Sequence, residues 1–268
     1  MKKIFYLMCC VLTAFLVGCE SNEPGGANEQ SWSFVAKPFS VSAAKTVTFS
    51  PGNLQYHAAN NEWRFAPSQT EYIGEGNLNI SPSYNGWIDL FGWGTGNNPT
   101  NISADVADYQ TFVDWGVNKI SNYAPYTWRT LTSDEWEYII EKRSNADKLK
   151  GIAQVNGVNG LILLPDNWTC PSDITFKPGP YDGAVRYADF QTFNALDWEK
   201  LEASGAVFFS ATGSRQVSYV SQVQFYGNYW SATSNDYYEA NFLLFYPAGA
   251  VMAHYDRPDG FSVRLVKD

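Results

Sequence analysis

Histidine, cysteine and positive charge are all scarce in this chain of 268 residues, which has 2 His, 4 Cys and 18 Lys+Arg against 27 Asp+Glu. A formal charge of −9 excludes a basic nucleic-acid binder, because phosphate contacts need clustered Lys and Arg. Two histidines leave little room for His-rich metal catalysis. Gly-x-Ser-x-Gly and a phosphate-cradling glycine loop with Lys are also missing, which removes two common catalytic signatures. Charged residues make up only 17%, yet 45% of the chain is hydrophobic and 16% aromatic, with 17 Phe, 17 Tyr and 10 Trp. That is enough apolar material for a sizeable core, and it excludes disorder over most of the length.

The one long apolar run, Ile4 to Val17, is short for a membrane span and follows the positive Lys2-Lys3 pair, as in a secretory signal peptide. It ends in Leu16-Val17-Gly18-Cys19. This order resembles the lipobox of bacterial lipoproteins, which implies lipidation of Cys19 and removal of residues 1–18. Cleavage would take away only Lys2 and Lys3, moving the formal charge from −9 to −11. Residues 19–31 read as a flexible tether, polar and interrupted by Pro24-Gly25-Gly26, about 20 Å long as a coil. Glu20 and Glu23 look like the acidic export signals of some outer-membrane lipoproteins in the Bacteroidetes, which implies a surface-exposed outer-membrane anchor. Cys9 and Cys10 leave with the signal peptide, so Cys170 is the one thiol left and no internal disulfide can form. For want of a neighbouring base, Cys170 reads as a buried structural residue rather than a nucleophile.

From Trp32 onward no break is long enough to separate two domains and no repeat is present, so residues 32–268 read as a single domain. Alternation predicts strands at Lys45–Phe49, Leu54–Tyr56 and Trp63–Phe65, joined by turns as a short antiparallel meander. Residues 74–104, rich in Gly, Asn, Pro and Ser around Trp87, Phe91 and Trp93, read as a long loop pinned by aromatics. Thr132-Ser133-Asp134-Glu135 is a capping box that predicts a helix with Trp136, Ile139 and Ile140 on one face. A second helix is expected over Asn194–Ala203, with Leu196 and Leu201 inward and Gly205 as its stop. Strands are expected again at Ala206–Phe209, Tyr229–Thr233, Asn241–Tyr246 and Gly260–Val266. Trp63, Trp128, Trp136, Trp198 and Trp230 read as packing residues.

Trp128-Arg129-Thr130-Leu131-Thr132-Ser133-Asp134-Glu135-Trp136-Glu137 resembles the start of the first helix in C-type-lectin-like domains of the formylglycine-generating-enzyme type. Ala206–Arg215, Asn228–Thr233 and Gly260–Arg264 look like later strands of that family. Phe49–Tyr56 and Trp63–Phe65 are similar to a group of Bacteroidetes surface lipoproteins. The resemblance covers about residues 45–266. It implies an α+β fold, C-type-lectin-like, with mixed antiparallel sheets, two flanking helices and long loops, and with the first and last strands paired. The family's enzymes hold copper on paired cysteines or iron on a histidine cluster. Cys170, His57 and His254 supply neither set, so neither that catalysis nor a cofactor is expected. Glu-Pro-Asn, Gln-Pro-Asp and Trp-Asn-Asp, which resemble calcium-dependent sugar sites, do not occur.

What remains is a binding module. In this fold the loops between the last strands face the ligand, and here they carry Asn235, Asp236, Tyr237, Tyr238, Tyr246, His254, Tyr255, Asp256, Arg257 and Asp259. Tyr and Arg supply contact area and directional hydrogen bonds at modest entropic cost. Residues 235–259 also look like the variable region of proteins diversified by retroelements. The expected function is an adhesin-like or receptor-like lipoprotein that binds a protein or glycan at the cell surface, with no metal and no catalytic residue. Two alternatives stay open: an enzyme of the formylglycine-generating type with a rearranged metal site, and a pilus or envelope structural component.

Overall fold

The computed structural model describes residues 34–179, 186–217 and 219–268. The signal-peptide reading, Cys19 and the tether lie outside them. Among the described residues no helix is long and apolar enough to cross a membrane. Over the described residues the architecture is α+β, dominated by short antiparallel strands in five sheets with two α-helices.

The terminal segments pair as the resemblance implied: β2 (Thr46–Phe49) is flanked by β1 (Phe39–Ser40) and β15 (Val266–Lys267), with Val266 opposite Phe49. Only the second half of the expected meander forms: Leu54–Tyr56 pairs antiparallel with Trp63–Phe65, but neither joins Thr46–Phe49. Leu54–Tyr56 falls within β3 (Leu54–His57), which pairs with β4 (Glu62–Phe65) and β5 (Trp87–Ile88) instead of with β2. The reason is the C-terminal segment running between them. Ser50 N donates to Leu265 O at 2.8 Å and Leu54 N to Val263 O at 2.9 Å, so Ser50–Asn53 carries the chain along that segment rather than turning it back. Gly260–Val266 is accordingly a buried spine making single bridges to Phe91, Arg215, Tyr229 and Arg129, and only its end joins a ladder.

A four-stranded sheet that the sequence reading did not anticipate in full has the order β8-β6-β7-β9, built from β6 (Lys150–Val155), β7 (Val158–Leu163), β8 (Thr192–Phe193) and β9 (Val207–Ser210). Its hairpin turns at Asn156-Gly157, both in the left-handed region, the usual chemistry for a two-residue turn. Two shorter assemblies complete the chain: β10 (Ser214–Gln216) with β11 (Tyr219–Ser221), and β12 (Gly227–Ser234), β13 (Glu239–Tyr246) and β14 (Gly249–Asp256) in that order. Gly227 is required where it sits, since a Cβ there would lie 1.9 Å from the Phe245 ring on the neighbouring strand.

Helix α1 (Ser133–Glu137) starts as the capping box predicts: Thr132 Oγ1 accepts from Glu135 N at 3.2 Å, and Glu135 Oε2 accepts from Thr132 N at 3.0 Å. It runs on as a π-turn over Tyr138–Lys142, and Trp136, Ile139 and Ile140 are fully buried. Helix α2 (Ala195–Ala203) is capped by Asn194 and stopped by Gly205 at φ +95°. Leu196, expected inward, is 67% exposed; Trp198, Leu201 and Glu202 form the buried stripe, because Leu196 lies five residues, about 140°, from Leu201. The five tryptophans read as packing residues are all buried. Cys170 is partly exposed rather than buried, its thiol 3.3 Å from Ile174 O.

Charged groups also sit inside. Arg264, 1% exposed, donates to Gln69 Oε1 at 2.7 Å, Asn53 Oδ1 at 3.3 Å and Phe208 O at 3.4 Å, and burial lowers its pKa to about 10. It ties the spine to β9 and to the loop carrying Gln69.

Candidate binding surface

The β12-β13-β14 sheet decides how the ten candidate residues are distributed. Met252–Asp256, read from sequence as loop, is strand: β14 pairs with β13 over eight residues without a register slip. Side chains therefore alternate between faces. Leu243, Phe245 and Met252 pack in the core beside α1, whereas Phe242, Leu244 and Ala253 join the other core around Trp230 and Phe261. His254 and Asp256 share the first face with Glu239 and Asn241; Tyr255 and Tyr246 share the second. Tyr246 stands at the opposite end of β13 from Glu239, about 24 Å along the strand, and packs on Tyr226 with ring centroids 5.8 Å apart. It is not part of a site with Tyr237 and Tyr238.

The turn between β12 and β13 is held from below. Arg257 was expected on the surface but is buried. Its guanidinium donates to the Asp236 carbonyl, to Tyr109 O at 3.2 Å, to Gln110 Oε1 at 3.3 Å and to Glu239 O at 3.4 Å, and it lies 4.5 Å over the Trp93 ring. Gln110 Nε2 adds a bond to Tyr237 O at 3.0 Å. On top, Asp236 Oδ1 accepts from Tyr238 N and Glu239 N, both at 2.8 Å, which holds its carboxyl below the usual carboxylate range. Tyr237 and Tyr238 project from this clamp, 53% and 61% exposed, with their rings edge to face at 5.0 Å. Beside them Glu239 Oε2 lies 2.5 Å from His254 Nδ1 and accepts from Asn235 Nδ2 at 3.3 Å. A shallow hollow of about 290 Å³ opens between Tyr238, Asp256 and Pro258 and the Ala104–Val106 loop. Asn235, Asp236, Tyr237, Tyr238, His254 and Asp256 are thus one contiguous exposed group.

Asp259 and Tyr255 belong elsewhere. Asp259, expected on the surface, is 9% exposed at the edge of a separate cleft of about 370 Å³ on the second face of the sheet, and accepts from Gln216 Nε2 at 3.1 Å. Phe242 and Leu244 form the floor and the β10–β11 hairpin the opposite wall. Sequence reasoning missed Ser214, Gln216, Tyr219, Ser221, Gln222, Tyr226 and Asn228 here. Their one sequence signal is a run of amides and tyrosines between strands.

Burial pushes the Asp259 carboxyl up to about 6, with Asp256 adding to the rise and Arg215 opposing it. Among the described residues no three His, Cys, Asp or Glu side chains gather into a group able to hold a metal ion. No protein-family model, characterised protein or solved structure matches the chain.

Proposed function

We propose that this protein is a non-enzymatic, lipid-anchored binding protein displayed on the outer membrane, its C-type-lectin-like domain of the formylglycine-generating type presenting a protein or glycan ligand with the surface around Tyr237 and Tyr238. The lipobox-like Leu16–Cys19 supports the anchor. The observation that carries the binding reading is the Arg257 clamp, which fixes the 235–238 backbone while two adjacent tyrosines stay more than half exposed. Rigid aromatic anchors on a pre-ordered turn lose little entropy on binding, and these two rings pack on each other while more than half of each stays in water. The strand-borne His254 and Asp256 extend the same surface. Side-chain changes at such exposed positions leave the core untouched, which suits the resemblance to retroelement-diversified proteins.

The test is binding of the mature chain to arrays of surface proteins and glycans, compared with the double variant Tyr237→Ala/Tyr238→Ala. At least a tenfold loss of affinity with an unchanged melting temperature is expected. Equal binding by both would remove this surface.

A further inference from the structure

We infer that the cleft between the β10–β11 hairpin and the second face of the β12-β13-β14 sheet is a binding site for a neutral saccharide, recognised without a metal ion. The inference rests on the reading of the domain as a binding module but concerns a different site from the Tyr237–Tyr238 surface.

Three features of the cleft carry it. First, it is flanked by tyrosines whose rings are accessible: Tyr219 is 48% and Tyr255 44% exposed, on opposite walls, and Tyr226 closes one end. An aromatic face in water packs well against the C–H face of a pyranose ring. Second, the polar groups between them are unsatisfied by the protein. Among the described residues the side chains of Ser214, Ser221 and Gln222 have no hydrogen-bond partner, and neither do the hydroxyls of Tyr219 and Tyr226. Asn228 uses its amide nitrogen on Gly213 O at 2.9 Å and leaves its side-chain oxygen unbonded. Such a mixture of neutral donors and acceptors matches adjacent sugar hydroxyls, each of which both donates and accepts.

Third, the charge in the cleft has a sign. Asp259 is the carboxylate lining it, while the nearest cation, Arg215, is 2% exposed on the other side of β10 and cannot reach a ligand. Gln216 Nε2 holds one oxygen of Asp259 at 3.1 Å, so that its second oxygen can accept from a hydroxyl. An acidic sugar, a phosphate or a sulfate would meet this carboxylate with no accessible countercharge. The opposite wall also holds its shape at some strain: Gln222 and Gln224 both take left-handed backbone conformations, at φ 58° and 64°. Non-glycine residues are held there only where surrounding contacts over-determine them, and here Gln224 is bound at both ends to Asn159.

The experiment uses the mature chain on an array of neutral and acidic oligosaccharides, followed by titration calorimetry with the best neutral binder in the presence and absence of EDTA. Neutral glycans are expected to bind and sialylated or sulfated ones to fail, with affinity unaffected by EDTA. Tyr219→Ala and Tyr255→Ala should each lower affinity at least tenfold with unchanged near-ultraviolet circular dichroism. Asp259→Asn should lower it as well, and Tyr237→Ala/Tyr238→Ala should leave it unchanged. Loss of binding in EDTA, preference for acidic glycans, or full affinity in Tyr219→Ala and Tyr255→Ala would overturn the site. Protein ligands bound through Tyr237 and Tyr238, with no neutral glycan bound at all, would overturn this inference and leave the proposed function standing.

Discussion

Arg257 and Arg215 flank the same sheet and are equally hidden from water, yet their surroundings treat them in opposite ways. Under the β12–β13 turn, all three nitrogens of Arg257 are bonded, to three backbone carbonyls and one side-chain amide. Beside the cleft, Nε and both terminal nitrogens of Arg215 have no partner among the described residues. Burial lowers its pKa, and the Asp259 carboxylate opposes that only at longer range. A buried guanidinium with full hydrogen bonding fixes the backbone around it, while one without them is a desolvated charge whose benefit to stability is small or negative. The turn end of the sheet is therefore built to be rigid, and the cleft end carries a buried guanidinium that fixes nothing around it.

The largest effect should come from Arg264, whose two terminal nitrogens are bonded deep in the core. Arg264→Met leaves Asn53 Oδ1 without a donor and Gln69 Oε1 with Phe208 N alone, and is expected to cost about 3 kcal/mol in denaturant unfolding. A cost below 1 kcal/mol would show that bonded and unbonded arginines do not differ.

Arg257→Ala should cost about 2 kcal/mol and raise hydrogen exchange at the Tyr238 and Glu239 amides, since the carbonyls of Asp236 and Glu239 lose their clamp. Unchanged exchange there would mean that Asp236 alone holds the turn.

Smallest in stability is Arg215→Met, expected within 1 kcal/mol of the parent and free to raise stability. Its signature is in pH dependence. Asp259 is raised from 3.8 to about 6 in the folded state, so its contribution is greatest below about pH 3.8 and is lost as pH rises towards 6. Removing Arg215 withdraws the charge that opposes this rise, so the decline should extend to higher pH. Superimposable pH profiles of the two proteins would break the link between these side chains.

Much of the local structure was legible. The capping box at Thr132, the helix starting near Asn194 and the Gly205 stop each depend on a few adjacent residues, whereas the pairing of the first and last strands was implied only by the resemblance. The misreadings arise where neighbours distant in sequence intervene. Leu196 is apolar, but the helix turns it to water because Trp198, Leu201 and Glu202 occupy the buried stripe. Met252–Asp256 lacks a continuous apolar face, since it is an edge strand with only one paired side, and so it resembled a loop. The exposed group around Tyr237 was legible as a cluster of Tyr, Asn and Asp. Its separation from Tyr246, Tyr255 and Asp259 was not, because alternation along β14 became relevant only once the strand itself was established.

By itself the sequence determined an aromatic, cysteine-poor chain of short strands and two capped helices, with lipobox-like residues ahead of it, because composition and nearest-neighbour chemistry suffice for those properties. Only the tertiary structure decided which arginines are bonded and which tyrosines face a cleft. Both depend on side chains such as Gln69 and Arg264 meeting across 195 residues of chain, a distance over which local propensity carries no information.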